Sequence, residues 1–197
     1  KINYMRNSVK AVVDAYDGSV RLFRWDDQDP ILRTWEKIYP GSVEPMSAIS
    51  GDLMSHLRYP EDMFKVQRNL LATYHVTDAA GFYSGGDRWR LAEETSTYGD
   101  ATASSAPSAG VDANGNRVSA PTALQPPYYL TMQMPGQESA EFSLTSVFVP
   151  GGGGEGRREA MAGFLAVDSE TGNTPGQVRE GYGKLRLLAL PSSTTVP

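Results

Sequence analysis

Between residues 9 and 25 the chain alternates between apolar and polar positions. Val9-Lys10-Ala11-Val12-Val13-Asp14-Ala15-Tyr16 is rich in small and β-branched residues. Ser19 to Trp25 resumes the alternation, with Val20 and Leu22 on one side and Phe23 and Trp25 on the other. A period of two puts alternate side chains on one face of a strand. Asp17-Gly18 separates the two runs and favours a type I′ turn, which needs positive φ at both central residues. The pattern predicts a β-hairpin.

The period then lengthens. Pro30 to Tyr39 reads as a short helix whose buried face would be Ile31, Leu32, Trp35 and Ile38, with Asp29 as N-cap and Pro40-Gly41 as the stop. Ser50 to Leu57 reads as a second helix, capped by Ser50 and stapled by Ile49 and Met54. The third and longest lies within His56 to Val76. Pro60 would start it, and Glu61 and Asp62 would occupy the first turn, where carboxylates favour the positive end of the helix dipole. Met63, Val66, Leu70, Leu71 and Tyr74 would form its apolar stripe, with Lys65, Arg68 and Asn69 on the other side.

From Glu93 to Gln125 the pattern dissolves into Ser, Thr, Ala, Gly, Asp and Pro, the composition of a flexible insert. Alternation returns in Tyr128–Met134, Glu141–Val149, Ala162–Val167 and Lys184–Leu190, four predicted strands, with Pro135-Gly136 as a turn. Strands and helices that segregate along the chain indicate an α+β fold. The simplest assembly is one largely antiparallel sheet, made of the N-terminal hairpin and about four C-terminal strands, with three helices packed on one face. The expected organisation is a hairpin and three-helix part over 1–92, an insert over 93–125, strands over 126–191 completing the same domain, and a tail over 192–197.

Composition narrows the function classes. A chain of 197 residues with 40% hydrophobic content can bury a core, and a net charge of −5 without a basic run argues against a nucleic-acid partner. The absence of cysteine excludes a disulfide framework and a thiolate zinc site. No apolar run reaches the roughly 18 residues of a membrane span, and no signal peptide is evident. The chain begins and ends in what reads as running sequence and is expected to be a piece of something longer.

Candidate chemistry is sparse. Asp26, Asp27 and Asp29 invite a calcium reading, but the spacing is not that of an EF-hand, and Asp29 before Pro30 is better explained as a helix cap. Asp112-Ala113-Asn114-Gly115-Asn116 is too incomplete for a calcium loop. Gly151 to Gly156 lacks the Gly-Lys-Ser/Thr ending of a phosphate cradle. Aromatics around Gly85-Gly86 (Phe82, Tyr83, Trp89) would stack on a sugar or, more simply, cap a core edge. His56 and His75 flank the long helix and are too far apart to share one of its faces. Asp14, Asp17, Asp26, Asp27, Glu61 and Asp62 supply carboxylates enough for a glycosidase pair, yet nothing in the sequence sets two of them across a cleft. No catalytic, cofactor-binding or metal-ligating residue is assigned, and no cofactor is expected.

Several stretches together resemble one family: Asn7-Ser8-Val9-Lys10-Ala11 with Val13-Asp14-Ala15-Tyr16-Asp17-Gly18, Asp29-Pro30, His56-Leu57-Arg58-Tyr59-Pro60-Glu61-Asp62 with Phe64-Lys65-Val66-Gln67-Arg68, Tyr74-His75-Val76, Pro127 to Gly136, and Phe142-Ser143-Leu144-Thr145-Ser146. The chain resembles the uncharacterised protein family 0182, large multi-spanning membrane proteins of actinobacteria and cyanobacteria. The resemblance covers nearly the whole chain except the insert. It implies a soluble extracytoplasmic piece of a protein in the cell membrane, with the rest of that membrane-embedded chain as its partner and cell-envelope components as further contacts. It carries no activity and no catalytic residue. A non-catalytic module for assembly, sensing or envelope contact is the leading expectation. A solute-capture or gating domain and a carboxylate-based hydrolase of envelope polymers are the alternatives.

Overall fold

The computed structural model describes residues 4–94, 124–151 and 160–190. The chain is α+β. Its elements are β1 (Val9–Val13), β2 (Val20–Arg24), α1 (Pro30–Ile38), a 3-10 turn (Met46–Ala48), α2 (Gly51–His56), α3 (Glu61–Tyr74), α4 (Ala79–Ser84), β3 (Trp89–Leu91), β4 (Tyr128–Met132), β5 (Glu141–Pro150), β6 (Gly163–Asp168) and β7 (Leu185–Ala189). Of the expected insert over 93–125, residues 95–123 with the Asp112–Asn116 turn lie outside the described residues, as do the glycine run from 152 and the tail from 191; its described ends are joined by a bridge between Glu93 and Leu124.

The expected single sheet is two. β1 and β2 form an antiparallel pair with Lys10 opposite Phe23 and Val12 opposite Arg21. A five-stranded sheet has the order β3-β5-β6-β7, with β4 also paired to β5. The outer edge of β2 is taken up locally: Glu44 exchanges backbone hydrogen bonds with Leu22 and Arg24 at 2.8 Å each.

The hairpin turn also differs from the type I′ expectation. Among the described residues none other than glycine has positive φ, so Asp17 does not adopt the required conformation. Instead the Gly18 amide donates to the Asp14 carbonyl and the Asp14 amide to Ser19, closing a wider loop in which Gly18 alone, at φ +73°, reverses the chain. The 134–137 turn is as expected: the Gln137 amide donates to Met134 with Gly136 at φ +81° after Pro135.

Two compact units can be distinguished. The first comprises 1–68, 129–145 and 166–186, the second 69–128, 146–165 and 187–197. In the first, Phe23, Ile49 and Met54 form a fully buried cluster with Val12, Trp25, Leu53 and Val178 packed around it. Ser50 holds this arrangement by accepting from the Leu53 amide at 3.2 Å, so the predicted staple residues Ile49 and Met54 meet in the core. In the second, Trp89 stacks on His75 at 3.5 Å and lies against Phe148, and Gly163 leaves the space that the Trp89 ring needs.

The helices bring three corrections. A fourth helix, α4, was not expected; Asp78 caps it by accepting from the Gly81 amide at 2.6 Å, and Gly85 ends it in the left-handed conformation. On α3 the buried line is Phe64, Arg68 and Ala72, rotated away from the predicted stripe, while Leu70 and Tyr74 are exposed. Positions four apart share a helix face regardless of polarity, and the Arg68 side chain follows Phe64 inward. On α1 only Leu32 of the four predicted residues is buried. None of the helices among the described residues is long and apolar enough to cross a membrane.

Candidate docking face and groove of the first unit

α1 forms because its ends are well specified. The Asp29 carboxylate accepts from the Ile31 amide at 2.9 Å and from the Tyr4 hydroxyl at 2.8 Å, and the Ser8 hydroxyl also donates to it. These hydrogen bonds, that from Ser8 foremost, hold the Asp29 carboxyl at about 2, well below the ordinary carboxylate value. Asp29 is therefore committed to tying the N-terminal segment to α1.

The helix so positioned turns an apolar side outward. Ile31, Trp35 and Ile38 follow at four- and three-residue spacing and are 48%, 53% and 57% exposed, and Tyr39, stacked on Trp35 at 5.6 Å, is 56% exposed. Arg33 and Lys37 lie on a different side. Isolated apolar residues on a surface are ordinary, but a contiguous aromatic and aliphatic stripe on one helix marks an interaction surface.

A groove of about 440 Å³ runs beside β1, lined by Met5 to Ala11 together with Pro60 and Met63. Lys10 reaches from this strand to the Arg58 carbonyl at 3.0 Å, and its ammonium lies 4.9 Å from the centre of the Trp25 ring. Burial lowers the Lys10 amine from its ordinary value to about 8. Trp25 meets Tyr182 edge to face at 5.7 Å, and Tyr182 packs on Tyr59 at 5.9 Å. Burial raises the Tyr182 hydroxyl above its usual value. The sequence pattern placed Lys10 only as a strand residue and did not mark Tyr182, because their neighbours are distant along the chain.

The six carboxylates considered for acid–base chemistry are not brought together on this groove, and none of them lines it. Asp14 accepts from the Tyr16 amide and Asp17 from the Ser19 amide, both within the hairpin loop. Asp26 pairs with Arg6 at 2.5 Å, and Asp27 accepts from the Gln28 side chain. Glu61 and Asp62 both engage Lys65, at 2.7 and 3.4 Å. His56 meets the Asp52 carbonyl at 2.7 Å at the end of α2, and His75 the Leu71 carbonyl at 2.9 Å. Among the described residues no three acidic or histidine side chains converge as metal ligands would.

Of the two buried aspartates among the described residues, Asp29 and Asp168, the sequence did not mark the second. Asp168, at the end of β6, is buried and pairs with Arg186 at 2.8 Å, and it accepts from Gln137 at 3.2 Å and Ser143 at 3.4 Å. Strand residues of alternating pattern gave no signal for it, since each partner comes from a different part of the chain.

The model of the family described as Uncharacterised protein family (UPF0182) matches residues 1–197. The chain belongs to UPF0182. UPF0182 proteins of Leifsonia xyli subsp. xyli and Paenarthrobacter aurescens are 53% and 52% identical to it, each over 196 residues, and one of Clavibacter sepedonicus is 51% identical over 197. Each alignment covers the whole of this chain but only 17–18% of the relative. The chain thus spans less than a fifth of the length of these UPF0182 proteins. No solved structure matches it.

Proposed function

We propose that this chain is a non-catalytic assembly module, an extracytoplasmic part of a multi-spanning membrane protein that docks through the outer face of α1 onto the rest of its own polypeptide. The observation that carries this reading is the exposed stripe of Ile31, Trp35, Ile38 and Tyr39 on a helix whose cap is firmly fixed. A helix so well specified does not expose its apolar side through poor local structure. The chain covers less than a fifth of its relatives' length, so most of the polypeptide is available as the complementary surface. The family resemblance supports the membrane and extracytoplasmic address. The local engagement of Asp14, Asp17, Asp26, Asp27, Glu61 and Asp62 supports a binding role over acid–base chemistry.

Substituting Ile31→Gln, Trp35→Gln and Ile38→Gln together tests this. The side chains are half exposed and glutamine is a good helix former, so the midpoint of the 197-residue chain should move by no more than about 2–4 °C. In the full-length protein the same substitutions should release α1, making cleavage by trypsin at Arg33 and Lys37 at least tenfold faster. Equal cleavage of substituted and unsubstituted full-length protein would refute the docking role.

A further inference from the structure

The second feature of the first unit with no internal explanation is the outer edge of β1. The Trp25 amide donates to the Ser8 carbonyl and the Asp14 amide to Ser19, which fixes the hydrogen-bonding parity of the hairpin. Ser8, Lys10, Val12 and Asp14 point their backbone groups at β2. Val9, Ala11 and Val13 point theirs the other way, since alternate residues of an antiparallel strand face opposite neighbours. Among the described residues no backbone partner is found for that outward row. The other edge of the pair is already served by Glu44, so β1 is the open side.

The groove described above lies along this edge. Consecutive residues of β1, of both parities, line it, and no β2 residue does. A groove over one face of the hairpin would be lined by alternate residues only, so this one runs beside the strand. Met5, Val9, Pro60 and Met63 contribute apolar lining to it beside the polar Arg6, Asn7, Ser8 and Lys10. β1 has no proline and no bulge in its register with β2, and Ala11 and Val13 are exposed; its one charged side chain, Lys10, is engaged by the Arg58 carbonyl.

We propose that the open edge of β1 receives an extended segment of the same polypeptide, from outside these 197 residues, as a third strand of the hairpin sheet. Main-chain hydrogen bonds to Val9, Ala11 and Val13 hold it, and alternate apolar side chains of the incoming segment seat in the groove against Pro60 and Met63. A two-stranded sheet is marginal by itself, and a third strand completes it. The choice of occupant rests on the assembly reading above and on the small share of the relatives' length that this chain represents. The edge geometry is independent of α1.

Hydrogen exchange read at single amides, on the full-length protein and on the 197-residue chain, tests the proposal. In the full-length protein the amides of Val9, Ala11 and Val13 should exchange at least 100-fold more slowly than in the shorter chain, while those of Lys10 and Val12, already bonded to β2, should change far less. Ala11→Pro in the full-length protein should restore fast exchange at Val9 and Val13. Ala11→Lys, which keeps the amide, serves as the second variant, with the same result expected through charge in the groove. Equal exchange of the three outward amides in both proteins overturns the proposal. Protection that appears in the 197-residue chain alone as its concentration rises also overturns it, because the occupant is then a second copy. If α1 becomes cleavable on substitution but the outward amides are not protected, the assembly reading survives and this inference fails. Protected outward amides with cleavage unchanged by the α1 substitutions would remove the docking role of α1 and leave the added strand standing.

Discussion

Asp168→Ala is expected to destabilise the chain by about 3–5 kcal/mol, the range for removing one partner of a buried ion pair. The carboxylate is buried in the first unit and gathers three side chains, with Arg186 at 2.8 Å, Gln137 at 3.2 Å and Ser143 at 3.4 Å. Its removal leaves the Arg186 guanidinium, itself largely enclosed, without its anion, and takes an acceptor from the Gln137 side-chain amide, while Ser143 keeps the Glu141 carbonyl as an acceptor. The loss falls toward the lower end if water reaches Arg186. Urea unfolding at neutral pH reads it as a fall in midpoint with unchanged slope. Asp168→Asn paired with Arg186→Met should recover part of the loss, because neither substituted side chain then carries an unpaired charge. A loss below about 1 kcal/mol for the alanine variant would show that the pair is solvated and contributes no more than a surface bridge.

Phe23→Ala should cost about 3–5 kcal/mol by a different route. The Phe23 ring is fully buried against Ile49 and Met54, with Val12 and Trp25 at its margins. Deleting it removes its transfer free energy and opens a cavity between the hairpin and the short helical segments. Those segments are fixed by caps and cannot collapse fully into the space. Phe23→Leu should cost much less, since it keeps most of the volume. If alanine and leucine variants unfolded at the same midpoint as the parent chain, the hairpin would not be anchored through this ring, and the groove beside β1 would lose its fixed geometry.

These two residues show what the sequence made legible and what it did not. Phe23 was readable because strand alternation put it with Trp25 on one face, and Ile49 and Met54 were readable as a staple around Ser50. Local rules govern both, as they govern the Asp29 cap and the Pro135-Gly136 turn. Asp168 was not readable, because its value lies in partners 18 to 31 positions away. The bridge by which Glu44 reaches β2 likewise has no local signature.

α1 and α3 depart from expectation for a shared reason. Helical periodicity identifies a face that wants burial but not what buries it. On α3 the burial falls on the line through Phe64, Arg68 and Ala72, one position away from the apolar stripe. On α1 the stripe was found where expected and is left outside, with Leu32 alone turned inward. The pattern and the structure are reconciled if the partner of that stripe lies elsewhere in the polypeptide, and UPF0182 proteins more than five times the length of this chain have ample room for it.

The same physics explains why no reaction was legible. Acidic residues at Asp14, Asp17, Glu61 and Asp62 look like chemistry in a list of residue types. In the fold each is absorbed by a turn amide or by Lys65. Among the described residues of the first unit, the apolar stripe of α1 and the outward row of β1 are the features on which the proposed assembly role rests.

Whether the outer face of α1 is covered in the complete protein is the deciding question. The chain has no cysteine, so a single reporter thiol can be placed at Ile38→Cys on the apolar stripe or at Lys37→Cys on the polar side. In full-length protein free of other cysteines, and in the 197-residue chain, the quantity to measure is the rate of maleimide labelling at each position. Docking through α1 predicts that residue 38 reacts at least tenfold more slowly in the full-length protein than in the shorter chain, while residue 37 reacts alike in both. Equal rates at residue 38 would contradict it.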